Sequence, residues 1–110
     1  MEMPAYELWQ TEWCPASHRV RQRLTELGLD CVLRQVEPEP QQRQRLKART
    51  GETSVPVLCC PDGRVVVGEE AILTYLASCV EEPPLAAAHR ERAKRAFQKL
   101  VEQETAVERR

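Results

Sequence analysis

The run Trp13-Cys14-Pro15-Ala16-Ser17 carries a cysteine where a thiol is most easily ionised. Ahead of it, Tyr6-Glu7-Leu8-Trp9-Gln10 reads as a short strand. Behind it, Val20, Leu24 and Leu27 recur at helical spacing, with Arg19, Arg21, Gln22, Arg23 and Glu26 on the other side. Gly28 supplies the stop. Cys14 therefore stands where a strand ends and a helix begins. The first turn of a helix has unpaired N–H groups and the positive end of the dipole, so it favours an anion. A thiol there ionises more readily than a free cysteine, whose pKa is about 8.5. Pro15 suits the first turn because it has no N–H to leave unpaired. Ser17, three residues after Cys14, can donate a hydrogen bond to the thiolate and lower its pKa further. Taken alone, Cys14 would more readily be a small buried hydrophobe, the usual fate of a free cysteine. Two later features of the chain favour chemistry.

The elements that position Cys14 follow from the pattern of the chain. Cys31 to Val36 is a second strand, joined to the helix by Gly28-Leu29-Asp30, so strand, helix and strand form a parallel βαβ unit. Glu37-Pro38-Glu39-Pro40 breaks the pattern. Gln41 to Thr50 reads as a polar helix anchored by Leu46 and stopped by Gly51, lying loosely on the sheet. Ser54 to Cys60 is a third strand, Pro61-Asp62-Gly63-Arg64 a turn, and Val65 to Val67 a fourth strand in an antiparallel hairpin. Gly68 and Glu69 open a helix carrying Ile72, Leu73, Tyr75, Leu76 and Val80. Glu81-Glu82-Pro83-Pro84 is a linker, giving a domain over residues 1–82 and a linker and helix over 83–110. In that last helix, from Ala86 to about Val107, the residues Ala93, Ala96, Phe97, Leu100 and Val101 share one stripe. Such a stripe must pack on the domain or on a second chain, the latter giving a homodimer. Residues 1–4 read as a ragged start, and Thr105 to Arg110 as a fraying end.

Composition bounds the partners. With 110 residues, 42% apolar and 30% charged, the chain has the balance of one globular domain. A net charge of −1 gives no argument for nucleic acid. No apolar run spans a membrane and nothing reads as a signal peptide, which points to the cytoplasm. Five cysteines are an odd number, and none of their spacings makes a zinc pattern, so no metal is expected. Cys59 and Cys60 should point to opposite faces of a strand. Cys31, Cys59, Cys60 and Cys79 read as reduced, mostly core or half-core residues. Arg19, Arg21 and Arg23, with Arg43, Arg45, Lys47 and Arg49, give one face a basic cast, read as a solvated surface offset by Glu37, Glu39 and Glu52. His18 reads as a surface side chain.

A β-α-β-α-β-β-α order with cysteine at the first strand–helix junction is the thioredoxin arrangement, an α/β fold with a mixed four-stranded sheet, here with an extra C-terminal helix. Cys14-Pro15-Ala16-Ser17-His18-Arg19-Val20-Arg21 resembles the active-site run of glutaredoxins and of the amino-terminal domain of glutathione transferases. Ser54-Val55-Pro56 is similar to their Thr/Ser-Val-Pro segment. Gly68 to Leu76 resembles their glutathione-holding helix. The likeness covers roughly residues 5 to 80, and its three motifs fall in the expected order. Pro83-Pro84-Leu85 and the helix after it resemble the link into a transferase's helical domain.

The resemblance implies glutathione as the cofactor, and glutathione or a glutathionylated substrate as the partner. Cys14 would be the nucleophile and Ser17 its support. The Val55–Pro56 bond would be cis, leaving the Val55 N–H and C=O to receive glutathione as an added strand beside Cys14. Glu69 would take the ligand's ammonium. Glu70 stands where the family usually has serine or threonine, and a carboxylate there repels the ligand's own carboxylate. Cys14, Pro15, Val55, Pro56, Glu69 and Glu70 thus form the implied glutathione site. Ser17 cannot resolve a mixed disulfide, so a second thiol must release the product. Cys-Pro-x-Ser variants of the family include dehydroascorbate reductases and chloride intracellular channel proteins. The iron–sulfur monothiol glutaredoxins carry Cys-Gly-Phe-Ser, from which Pro15-Ala16 departs. The expected activity is glutathione-dependent monothiol thiol–disulfide exchange. Its alternatives are glutathione transfer and a non-catalytic module that keeps the fold to bind a protein, as stringent starvation proteins do.

Overall fold

The computed structural model describes residues 5–108. Strand β1 (Tyr6–Gln10) leads into helix α1 (Pro15–Glu26), and β2 (Cys31–Gln35) follows. A single 3-10 turn (Pro40–Gln42) precedes α2 (Gln44–Thr50). Then come β3 (Val57–Cys59), β4 (Val65–Val67), α3 (Glu69–Cys79) and α4 (Ala86–Glu108). The sheet order is β2-β1-β3-β4. β1 and β2 are parallel, with Tyr6 opposite Cys31 and Gln10 opposite Gln35, while β3 runs antiparallel to both β1 and β4. This is the mixed four-stranded sheet that the βαβ unit and the hairpin require.

Alternation along the strands divides the core. Leu8 and Leu58 point to the face that carries α1 and α3, where they meet Val20, Leu24, Leu27, Cys60, Ile72 and Leu76. Trp9, Val57 and Cys59 point to the other face, where they meet Leu46 of α2. Cys59 and Cys60 thus lie on opposite sides, as neighbours in an extended segment must. Each fully buried leucine contributes about 1.5–3 kcal/mol of transfer free energy. Leu46 is the only buried residue of α2, so this one side chain supplies most of what holds that helix down. The Arg45 guanidinium adds a stack over the Trp9 ring at 5.6 Å.

Several expectations are corrected. The third strand begins at Val57 rather than Ser54, because Pro56 has no N–H to give to a ladder. The Val55–Pro56 bond, by contrast, is cis as the resemblance implies. The helix expected over 41–50 is split. Pro40 opens a short 3-10 turn, and Arg43 (φ −83°, ψ 61°) leaves helical geometry before α2 starts. Arg43 is 7% exposed, and its guanidinium donates to the carbonyls of Glu37 (2.8 Å), Pro38 (3.0 Å) and Thr53 (2.9 Å). It is an internal brace for the loop, not part of a solvated basic face.

The other arginines are also engaged by partners different from those expected. Arg19 pairs with Glu69, Arg23 with Glu26 at 2.9 Å, and Arg49 with Glu7 at 3.1 Å. Arg21 donates to the Gln10 side chain and to the Thr11 carbonyl. Cys79 is exposed at the end of α3 rather than in the core.

Among the described residues, helix α4 is anchored chiefly at its start. Ala86 is fully buried, and Arg90 reaches Glu26 of α1 at 3.1 Å and also binds Glu82. Farther along, Phe97, Leu100 and Val101 are 62%, 59% and 45% exposed. The apolar stripe therefore does not pack on the rest of this chain. The expected fraying does not show up to Glu108, which is still helical, and residues 1–4 and 109–110 lie outside the described residues.

Candidate thiol site

Cys14 is the N-cap of α1. It takes an extended conformation (φ −77°, ψ 116°), with Pro15 opening the helix behind it. Its Sγ accepts the Ser17 N–H at 3.4 Å, so sulfur fills the role an oxygen plays in most N-caps. Its own N–H donates to the Thr11 carbonyl at 3.4 Å, which closes the turn out of β1. Ser17 is fully buried, and its Oγ accepts the Thr11 N–H at 3.4 Å. Partial burial pushes the Cys14 thiol up. The Ser17 hydroxyl, the Ser17 and Ala16 N–H groups and the Thr11 hydroxyl outweigh that, and hold it below its ordinary value. Burial pushes Cys31, Cys59 and Cys60 the other way. Electrostatics thus set Cys14 apart from these three thiols as the one poised to ionise.

The cis-proline segment reaches the same end of the two central strands. β3 pairs with β1 through Cys59–Glu7, Leu58–Leu8 and Val57–Trp9. Two more places along that register set Val55 across from Thr11, the residue whose carbonyl holds Cys14. Val55 lies beyond the last ladder pair, half-buried, with its backbone outside the sheet. The Pro56 carbonyl accepts the Gly68 N–H at 2.9 Å. Gly68 has φ 92°, a conformation that side-chain-bearing residues avoid, and it starts α3 at this end of the sheet. Cys14, Val55, Pro56 and the start of α3 are thereby gathered on one rim.

Glu69 and Glu70 occupy the first turn of α3, the favourable end for carboxylates. Their roles diverge. Glu70 is exposed. Glu69 is held by Arg19 of α1, whose Nε and Nη2 each donate to one carboxylate oxygen, the second at 2.8 Å. That fork holds Glu69 below the usual carboxylate range. Glu69 first, and the Cys14 thiolate after it, hold the Arg19 guanidinium up in turn. Arg19 therefore binds the acid and is coupled electrostatically to the thiol, a role the sequence reading missed. The signal was its spacing: one turn after Pro15 and next to Val20, it shares the side of α1 that packs on α3. Trp13, which precedes Cys14 in the chain, is 66% exposed. His18 is exposed, as expected.

The glutaredoxin family model matches residues 7–66, more than half of the chain, and spans both Cys14 and the cis-proline. The chain belongs to the glutaredoxin family. Solved structures place this glutaredoxin-family chain among transferase-like proteins as well. A glutathione S-transferase from Rhodospirillum rubrum is 32% identical over 73% of this chain and 36% of its own, with a TM-score of 0.61. A glutathione S-transferase domain-containing protein from Marinobacter aquaeolei is 30% identical over 72% of this chain and 40% of its own, with a TM-score of 0.57. Glutaredoxin 2 from Salmonella typhimurium, solved with glutathione, shares the fold at 19% identity, over 66% of this chain and 32% of its own, with a TM-score of 0.57. The chain thus spans 36–40% of the two transferase-like chains. No curated protein matches it. The fold is the thioredoxin-like one shared by glutaredoxins and the transferase domain. Among the described residues, no helix is long and apolar enough to cross a membrane.

Proposed function

We propose that this chain is a glutathione-dependent thiol–disulfide oxidoreductase that works by a monothiol route with Cys14 as nucleophile. The observation that carries the reading is the Cys14 sulfur itself, which caps α1 by accepting the Ser17 N–H and has its pKa lowered. The Cys14 thiolate attacks the glutathione sulfur of a mixed disulfide. A Cys14–glutathione disulfide forms, and the substrate leaves as a thiolate that takes a proton from water. A second glutathione thiolate then attacks the glutathionyl sulfur, forming oxidised glutathione and releasing Cys14 as thiolate. Ser17 supports that thiolate but cannot resolve the intermediate, so the second thiol comes from solution.

The rest of the rim supplies the binding roles. The free backbone of Val55 offers an edge to which a short peptide adds like a strand, with Pro56 fixing the approach and Pro15 flanking the sulfur. The first turn of α3 receives the charged γ-glutamyl end. Glu69 meets the ammonium once Arg19 yields or shares it, and Glu70 works against the carboxylate.

The test is a quenched reaction with a glutathionylated peptide followed by mass mapping. A single glutathione adduct on Cys14, formed ahead of any on exposed Cys79, supports the reading. Absence of a Cys14 adduct removes it. The alternative of a non-catalytic partner-binding module is favoured by one specific observation, the occupation of both Glu69 oxygens by Arg19. That alternative predicts no adduct.

A further inference from the structure

A second group of thiols lies at the end of the sheet away from Cys14. In the parallel ladder Tyr6, the first residue of β1, stands opposite Cys31. In the antiparallel ladder Glu7 stands opposite Cys59, so one place farther Tyr6 faces Cys60. Cys60 is 5% exposed and belongs to the core against which Tyr6, Cys31 and Tyr75 also pack. Helix α3 brings the third thiol. It starts beside Pro56, where the Gly68 N–H is held, and runs back towards Cys60 and Tyr6. Ile72, Tyr75, Leu76 and Cys79 fall at helical spacing, so Cys79 lies on the stripe that faces the sheet. It is exposed because it is the last residue of that helix. The Tyr75 hydroxyl meets both thiols: Cys60 first, then burial, then Cys79 hold it above its ordinary value.

The fold leaves Cys79 one partner. A disulfide needs Cα atoms within about 7 Å of each other. Cys59 points to the opposite face of the sheet, among Trp9 and Leu46. Cys31 lies on β2, beyond β1, whereas α3 packs on β3 and β4. Two strand spacings separate Cys31 from Cys60, roughly 9.6 Å, so those two cannot join either. Cys14 lies past the far end of β1, a strand roughly 16 Å long. Only Cys60 stands within reach of the Cys79 stripe.

We propose that Cys60 and Cys79 are a redox pair that closes into a disulfide, tying the end of α3 to the residue after β3. The oxidant is a small disulfide such as oxidised glutathione. The exposed Cys79 thiolate attacks one of its sulfurs, the S–S bond breaks, and one glutathione leaves as thiolate. Cys60 gives its proton to water and attacks the Cys79 sulfur, displacing the second glutathione. Two protein thiols are oxidised and one oxidised glutathione is reduced to two glutathione molecules. Burial keeps Cys60 protonated, so Cys79 reacts first. Val80 is already extended behind Cys79, so the last turn of α3 can shift as the Tyr75 hydroxyl moves aside. The pair does not depend on the role of Cys14.

Mass mapping after oxidation tests it. The Cys14→Ser chain, incubated with oxidised glutathione and then blocked with iodoacetamide, should yield two peptides joined from Cys60 to Cys79. Fragmentation of the joined peptides separates Cys60 from its neighbour Cys59. The link closes a loop of about 20 residues, so the melting temperature should rise by about 5 °C or more and fall back on reduction. Cys79→Ser, added to the same chain, should lose the link and the rise together. Cys79 that stops at its glutathione adduct overturns the proposal. So does a link from Cys79 to any other cysteine of the chain, or to Cys79 of a second copy.

Discussion

Arg19 grips Glu69 with two parallel N–H donors, one to each carboxylate oxygen, and so ties α1 to α3 on the rim that holds Cys14. The Arg19 hydrogen bonds hold Glu69 below the usual carboxylate range. Arg19→Gln should return it towards about 4.3, the value of an unperturbed glutamate. Carbon-13 NMR of the Glu69 carboxyl reads this directly. Glu69 is the main cause of the raised Arg19 guanidinium, and the Cys14 thiolate adds a smaller share, so the Arg19 cation favours that thiolate in turn, behind the Ser17, Ala16 and Thr11 donors that chiefly lower it. The same variant should therefore slow alkylation of Cys14 at neutral pH. An unchanged Glu69 titration would show that the fork does not persist in solution.

Glu70 is the group that works against an anionic peptide ligand on the first turn of α3. Two unit charges about 4 Å apart repel by roughly 1 kcal/mol in water and by several times that when partly shielded. Glu70→Ser removes the charge and places a hydroxyl beside the helix N–H groups. Glutathione affinity should rise by several-fold to about tenfold, as read by calorimetry at moderate salt. Binding that stays undetectable in this variant would remove glutathione as the ligand.

Glu26 fastens the last helix. It is 5% exposed, and it accepts from Gln22, Arg23 and Arg90. Burial pushes its carboxyl up, but those three donors outweigh burial and lower it. A depressed folded-state pKa means that its contribution is complete above the unfolded value of about 4.3 and is lost as pH falls through the lower folded value. The melting temperature should therefore fall below about pH 4. Glu26→Gln should lower it by several degrees at neutral pH and flatten the acid limb. An acid limb that is unaltered in Glu26→Gln would assign the loss to other carboxylates, Glu7 with Arg34 and Arg49 being the next candidate.

Arg43 braces the segment that leads to Val55 and Pro56. Its guanidinium satisfies three backbone carbonyls that would otherwise be left without that donor. Arg43→Ala should cost on the order of 2–3 kcal/mol, the range for charged hydrogen bonds left unmade. Arg43→Lys should recover only part, because a single ammonium cannot span the fork. Thermal unfolding of the two variants decides. Equal stability of Arg43→Ala and the wild type would show that solvent satisfies those carbonyls.

Most of the fold was legible because local signals agreed. A short run with Tyr6, Leu8 and Trp9 marked β1, Gly28 and Gly51 ended helices, and the Pro61 to Arg64 turn forced the hairpin. Cys14 and Ser17 were legible for the same reason, since a helix start acts through nearest neighbours. Arg19 and Arg43 were not. Each works through a partner far along the chain or through backbone carbonyls, and neither kind of contact leaves a periodic trace. Arginine in a polar segment reads as solvated until the tertiary fold shows what it reaches. The apolar stripe of α4 was visible, but not that the rest of the chain leaves it uncovered, because that depends on where Ala86 and Arg90 fix the helix.

Turnover of a glutathionylated peptide in the presence of reduced glutathione tests the role of Cys14 most directly. The wild-type chain should release the peptide thiol catalytically, with Cys14→Ser inactive and Cys79→Ser unchanged. Activity retained in Cys14→Ser, or a wild-type rate no faster than glutathione alone, would contradict the account.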